Sequence, residues 1–226
     1  MKNTRLSMLA NEIISTAYPT VEPDDKISAA LQLMDDFDII HLAVIDNNKY
    51  LGVINKDDLL DQDDNGIVRA VMAAIFTKSV KTTEHIISAI KLAAQNNLSI
   101  VPVVTSENEW AGVIPSVDLL KAITKFIGAE DIGAMIVLEM EHKSYSFGEI
   151  SRLVETNDAY ITQFNTYAEP ETGLLIATIK INKLEVSDII ATFQRYEYTI
   201  RYFIGEEHYQ NELKYNYDHL MSYLKV

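Results

Sequence analysis

Cysteine is absent from all 226 residues, which removes disulfides and thiolate metal sites and fits a cytoplasmic setting. Long apolar runs are missing too. The most apolar window, Ile67 to Phe76, is about half a membrane span and carries Arg69, so no membrane partner is expected. The basic start Met1-Lys-Asn-Thr-Arg5 lacks the apolar core and small-residue cleavage site of a secretory signal. Positive charge is scarce: 19 Lys and Arg stand against 33 Asp and Glu, a net charge of -14. Such a surface repels phosphate backbones, which argues against nucleic acid as a partner. Any phosphate-bearing ligand then has to be held by a local cluster of donors.

Catalytic signatures are also lacking. The five histidines, His41, His85, His142, His208 and His219, show no paired spacing of the kind a zinc site needs. No nucleophile elbow, Walker loop or dinucleotide fingerprint occurs. Carboxylates are so common in this chain that pairs of them say little about acid–base chemistry. No enzyme is expected.

What is present is a globular composition, 48 % hydrophobic and 23 % charged, in a length that suits two domains of about 100 residues each. The chain also contains a repeat. Leu51-Gly-Val-Ile-Asn-Lys-Asp-Asp-Leu-Leu60 returns as Ala111-Gly-Val-Ile-Pro-Ser-Val-Asp-Leu-Leu120. Upstream, Val80 answers Val21, Ile86 answers Ile27, Ala89 answers Ala30 and Leu92 answers Leu33. Each copy reads as a short extended segment, a helix, an apolar strand, a hairpin, a return strand and a second helix. In the first copy Pro23 biases Glu22 away from helix, and Asp24 or Asp25 is placed to cap the next one. The second hairpin, Thr105-Ser-Glu-Asn-Glu, is one residue longer than Asp46-Asn-Asn-Lys, and insertions belong in turns. Neither copy is large enough to bury a core alone, so the two are expected to pack on each other.

Asp61-Gln-Asp-Asp-Asn-Gly66 imitates the opening of an EF-hand loop. The twelfth position of that frame is Met72 rather than Glu, and the ninth is Arg69. Both oppose a bound cation, and the run reads as a solvated loop. Beyond Gly128 the pattern changes to β-α-β-β-α-β, the order of the ferredoxin-like split βαβ. Ser146-Phe-Gly-Glu149 has capping-box spacing at the start of its first helix. Residues 206–226 read as a terminal helix, with Leu213, Tyr217, Leu220 and Leu224 on one face.

Val21-Glu-Pro-Asp-Asp25 in the first copy, the strand ending Pro-Val-Val in the second and the Gly-to-Asp-Leu-Leu corner in both, set in the same order of elements twice, resemble the cystathionine β-synthase (CBS) domain, paired as in a Bateman module. The segment Phe147 to Ile161 with its βαββαβ order is similar to an ACT domain. Together they resemble the acetoin-utilisation-type CBS–ACT regulatory proteins. The fold class is therefore expected to be α+β: a CBS pair, then a ferredoxin-like domain, then a C-terminal helix. The expected boundaries are 12–66 and 67–127 for the repeats, 132–205 for the ACT-like domain and 206–226 for the tail.

The resemblance implies a regulatory protein, in which AMP, ADP, ATP or S-adenosylmethionine binds between the repeats. Asp58 and Asp118 would accept from the ribose hydroxyls. Asn55 and Ser116 would lie on the phosphate side, because Asn55 and Pro115 stand where the family has Ser or Thr. Ala30, Ile39, Ile40, Ala89, Leu98 and Ser99 would lie beside the base. Of the two corners, that of Asn55 is expected to be the better phosphate site, since proline lacks both donors. An aspartate in a first helical turn also stabilises the helix by about 0.3–1 kcal/mol without a ligand. The residues alone thus leave both readings open.

In the ACT-like part the resemblance implies a dimerising domain with an amino-acid site after its first strand. Here His142, Ser144 and Tyr145 replace the Asp, Pro and Gly of that corner. A homodimer is expected, with an unidentified regulated protein as partner. The alternative is a ligand-free dimerisation scaffold that modulates another protein.

Overall fold

The structure, a computed structural model, describes residues 8–63 and 65–206. The expected helix over residues 206–226 lies almost wholly outside them. The chain divides into two compact units, Met1–Phe126 and Ile127–Val226.

The first unit contains the repeat. Its first copy runs β1 (Thr20–Val21), α1 (Ile27–Asp36), β2 (His41–Asp46), β3 (Lys49–Asn55) and α2 (Lys56–Leu60). Its second runs β4 (Val80–Lys81), α3 (Ile86–Asn96), β5 (Ile100–Val104), β6 (Trp110–Pro115) and α4 (Ser116–Phe126). Each copy builds a three-stranded sheet with one parallel and one antiparallel pairing, in the orders β1-β2-β3 and β4-β5-β6. Asn47 and Asn48 turn the first hairpin with φ of 46° and 64°, the left-handed pair that two-residue hairpins favour and asparagine tolerates. In the longer second hairpin Thr105 Oγ1 accepts from the backbone N–H groups of Glu107 and Glu109.

The helices form where apolar residues recur every three or four positions. Ile27, Ala30 and Met34 make the buried stripe of α1, and Ile86 and Ala89 that of α3. The cap of α1 differs from expectation. Lys26 is the capping residue, and it makes no side-chain cap bond. Asp25 closes the preceding turn by accepting from the Glu22 N–H at 2.7 Å, while Asp24 accepts two hydrogen bonds from Arg69. Pro23 and Asp24 belong to that turn, which delays the helix to Ile27.

Ile100 and Val113 of the second copy share one apolar cluster with Ile27, Met34, Leu42 and Ile54 of the first. The repeats therefore pack on each other, as their size requires. They also exchange backbone. Ser15, ahead of the first copy, pairs antiparallel with Val113 on β6, and Phe76, ahead of the second, pairs with Val53 on β3. Both partners exchange N–H···O bonds of 2.7–3.0 Å. The hairpins meet as well: the Trp110 N–H donates to the Asn48 carbonyl at 2.9 Å, and the Tyr50 and Trp110 rings stack 5.9 Å apart. The Tyr50 hydroxyl, whose pKa is raised by burial, donates towards the carbonyls of Phe76 and Lys78 at 3.2 Å.

The second unit is β7 (Met135–Met140), α5 (Phe147–Glu155), β8 (Ile161–Ala168), β9 (Leu175–Ile181), α6 (Ser187–Arg195) and β10 (Thr199–Ile204). Its sheet is antiparallel throughout in the order β10-β7-β9-β8, the ferredoxin-like topology that the element order predicts. Ile136 and Leu138 of the sheet pack with Ile150, Leu153, Ile189 and Phe193 of the two helices. Ser146 caps α5 by accepting from the Glu149 N–H at 3.3 Å. The box closes on one side only, since the Glu149 carboxylate accepts from the Tyr198 hydroxyl at 2.9 Å. Among the described residues no helix is long and apolar enough to cross a membrane.

Candidate functional site

The repeated corner joins strand to helix in the same way twice. The Lys56 N–H donates to the Ile40 carbonyl, and the Ser116 N–H donates to the Ser99 carbonyl, both at 2.9 Å. Each bond carries the sheet ladder one step into the helix. It also uses up the first helical N–H, so a phosphate at either corner depends on other donors. Asn55 spends its side-chain oxygen on the helix, accepting from the Asp57 N–H at 3.0 Å. Pro115 is buried at the end of β6, opposite Ile100, and Ser116 is exposed as the first residue of α4.

Asp58 and Asp118 both sit half-buried in the first turn of a helix, and each opens onto a cleft. The Asp118 cleft is about 310 Å³, lined by Ile13, Ile14, Ser15, Lys121, Ala122 and Lys125 together with Met8. The Asp58 cleft is about 170 Å³, lined by Asp61, Gln62 and the short 3-10 segment Val68–Ala74 through Ala70, Val71, Ala73 and Ala74. The two are counterparts. In each, one wall is the corner helix of one copy and the other is the segment leading into the opposite copy, which the exchanged pairing holds in place.

Their chemistry differs. Among the described residues, the first cleft presents two carboxylates and no cation. The second presents one carboxylate and two ammonium groups, with Lys121 Nζ 2.9 Å from Asp118 Oδ1 and Lys121 itself held above its ordinary pKa by the hydrogen bond to Asp118. Against the expectation that favoured the Asn55 corner, the room and the positive charge lie beside Pro115. Only the second cleft reaches the roughly 300 Å³ at which small-molecule sites begin.

Of the residues expected beside a base, Ala30 and Ala89 are fully buried, and Ile39 and Leu98 are only 5 % exposed. They belong to the core as the side chains stand. Ile40 is 52 % exposed and Ser99 half-buried. Ser99 is gripped from the other copy: its N–H donates to His41 Nδ1 at 3.1 Å, and its Oγ lies 3.1 Å from the same nitrogen. A backbone N–H can only donate, so this His41 nitrogen carries no proton. Burial lowers the His41 pKa, while the carboxylates of Asp57 and Asp58 oppose that shift.

Sequence reading passed over Ile13 to Ser15, Lys121 and Lys125 as site residues. Extending the comparison of the copies three positions past the aspartates, to Asp61 against Lys121, carries the signal. The role of Ile13 to Ser15 depends on exchanged pairing, which no local pattern announces.

In the second unit, the corner after β7 holds a short 3-10 turn, His142–Ser144. Beside it is a cavity of about 460 Å³ lined by Glu139, Glu141, Glu149, Glu197, Ser144 and Tyr198 among others. Two of its four carboxylates are paired with cations, Glu139 with Arg201 at 3.0 Å and Glu141 with Lys143 at 2.7 Å. Burial and the Glu149 carboxylate push the Tyr198 hydroxyl up to about 12, so it remains a donor.

Comparison with known proteins bears on the first unit. The family model described as "CBS domain" matches residues 10–64. An uncharacterised protein of Methanocaldococcus jannaschii is 25 % identical over 118 residues, 52 % of this chain and 44 % of its own. The inosine-5'-monophosphate dehydrogenase of the same organism is 28 % identical over 151 residues, 65 % of this chain and 30 % of its own. The chain thus spans less than half the length of these curated relatives. Among solved structures, a CBS domain pair/ACT domain protein from Thermotoga maritima is similar at 24 % identity and a TM-score of 0.49, over 53 % of this chain and 99 % of that one. With residues 10–64 matched by the family model and the same topology repeated after them, the first half of the chain is a CBS domain pair.

Proposed function

We propose that this chain is a non-catalytic regulatory protein whose CBS pair binds an adenine nucleotide or related adenosyl ligand in the Asp118 cleft, and whose ACT-like domain passes the signal on as a dimer. The observation that carries this reading is the Asp118 cleft. It places a carboxylate suited to vicinal ribose hydroxyls beside the ammonium groups of Lys121 and Lys125. A ligand bound there touches one copy's helix and the other copy's lead-in segment. It therefore favours whichever arrangement of the two grips it better, and shifts that equilibrium by its differential affinity. Isothermal titration with AMP, ADP, ATP and S-adenosylmethionine tests the proposal. At least one of them should bind saturably, Asp118→Ala should weaken it at least tenfold, and Asp58→Ala should change it less than twofold. Absence of heat with all four overturns the reading.

The second reading is a ligand-free scaffold, and one observation favours it. Ala30, Ala89, Ile39 and Leu98 are buried, which leaves little apolar surface for a base unless side chains shift. Native mass spectrometry of protein purified without added ligand separates the two. A retained small molecule supports the sensor, and a bare homodimer with no response to nucleotide supports the scaffold.

A further inference from the structure

The two clefts are built from matching parts, so a difference between them at a matching position isolates what that position does. One turn beyond the aspartate, the first cleft has Asp61 where the second has Lys121. The next position is Gln62 in one and Ala122 in the other. Lys125 lies one further turn along the same face of α4 as Lys121. In a protein of net charge -14, the overall field drives a phosphate away. Local cations offset that field, and screening confines their reach to about 8–10 Å. Lys121 and Lys125 line the opening of one cleft; the opening of the other carries Asp58 and Asp61.

From this we infer that the residue one turn past each aspartate is a charge selector. Lys121 admits an anionic ligand to the second cleft and Asp61 bars it from the first, so each chain takes a phosphate-bearing ligand on one side only. The inference rests on the Asp118 cleft being a ligand site. The ion pair between Lys121 and Asp118, 2.9 Å in length, sets how the selector works. Vicinal hydroxyls that donate to Asp118 take over its oxygens, and the ammonium of Lys121 turns to the phosphate. The resting pair holds both groups at the opening until the ligand arrives.

Titrations of the full chain with inorganic pyrophosphate, adenosine and AMP, followed by backbone amide NMR, test it. Pyrophosphate and AMP should shift the amides of residues 116–125 and leave those of residues 56–62 in place. Lys121→Asp should weaken both ligands at least roughly tenfold, a conservative figure for reversing one charge beside an anion, and Lys121→Gln should fall between. Asp61→Lys should make residues 56–62 respond. The inference is overturned if both helices respond alike, if neither responds to pyrophosphate, or if Lys121→Asp binds both anions as the wild type does. Failure of the adenosyl reading looks different: AMP then binds no tighter than pyrophosphate and adenosine has no effect, while the one-sided response to pyrophosphate persists. Thermal melts of each variant guard against misfolding, and Lys121→Gln, which adds no repulsion to Asp118, decides the matter if Lys121→Asp does not fold.

Discussion

At the scale of single residues, His41 was legible in the sequence only as one of five scattered histidines. Its role appears once the copies are packed, since its partner Ser99 is 58 positions away. The bond has a definite pH dependence. The folded pKa lies below 6.5 because the ring is buried, while the unfolded chain titrates near 6.5. As pH falls through 6.5 the unfolded state takes up the proton first, so stability is full above that value and declines until the folded pKa is reached. Denaturant unfolding between pH 8 and pH 5 should show this loss, with a slope of at most about 1.4 kcal/mol per pH unit from this residue. His41→Phe should flatten that part of the profile relative to wild type. An unchanged profile would remove His41 as its source. Asn55 and Pro115 show what sequence does reveal at this scale. Their departure from a hydroxyl made the two corners unequal on paper, and the corners are unequal in space, though Lys121 and Asp61 supply more of the difference than either.

Among the elements, the helices followed their periodicity closely because each buries one regular face, and the all-apolar strands followed their composition, β5 being buried at all five residues. Ile150, Leu153 and Val154 in α5 make such a helical face. The lead-in segments were not legible, since what fixes them is a strand from the other copy. The glycines of the repeated corner bear the mark of that pairing. A Cβ on Gly52 would stand 2.5 Å from Ile75 Cγ1 and 2.8 Å from the Phe76 carbonyl oxygen. One on Gly112 would stand 2.5 Å from Ile14 Cγ2 and 2.8 Å from the Ser15 carbonyl oxygen, at a φ of 139° that also strains any side chain. Gly52→Ala should therefore destabilise the protein by roughly 1–3 kcal/mol, and Gly112→Ala by more, as read from denaturation midpoints. Equal, near-zero effects would mean that the exchanged strands do not press on the corner as described.

For the molecule as a whole, fold class and the order of its parts could be read from the repeat and the βαββαβ pattern. The reciprocity between the copies could not, because the two exchanged pairings join residues tens of positions apart. That reciprocity has a practical consequence for where the chain can be divided. A break at the exposed loop around Asp63 leaves one piece holding Ser15 without Val113, and another holding Phe76 without Val53. Each piece carries the strand that the other is missing. Residues 1–63 and 64–226, produced as separate polypeptides in one cell, should find each other and co-purify as a stoichiometric split protein. Replacing Ser15 by proline, which takes away the N–H donated to Val113, should weaken their complementation. A repeat of this kind is better regarded as two interlocked halves than as two beads on a string.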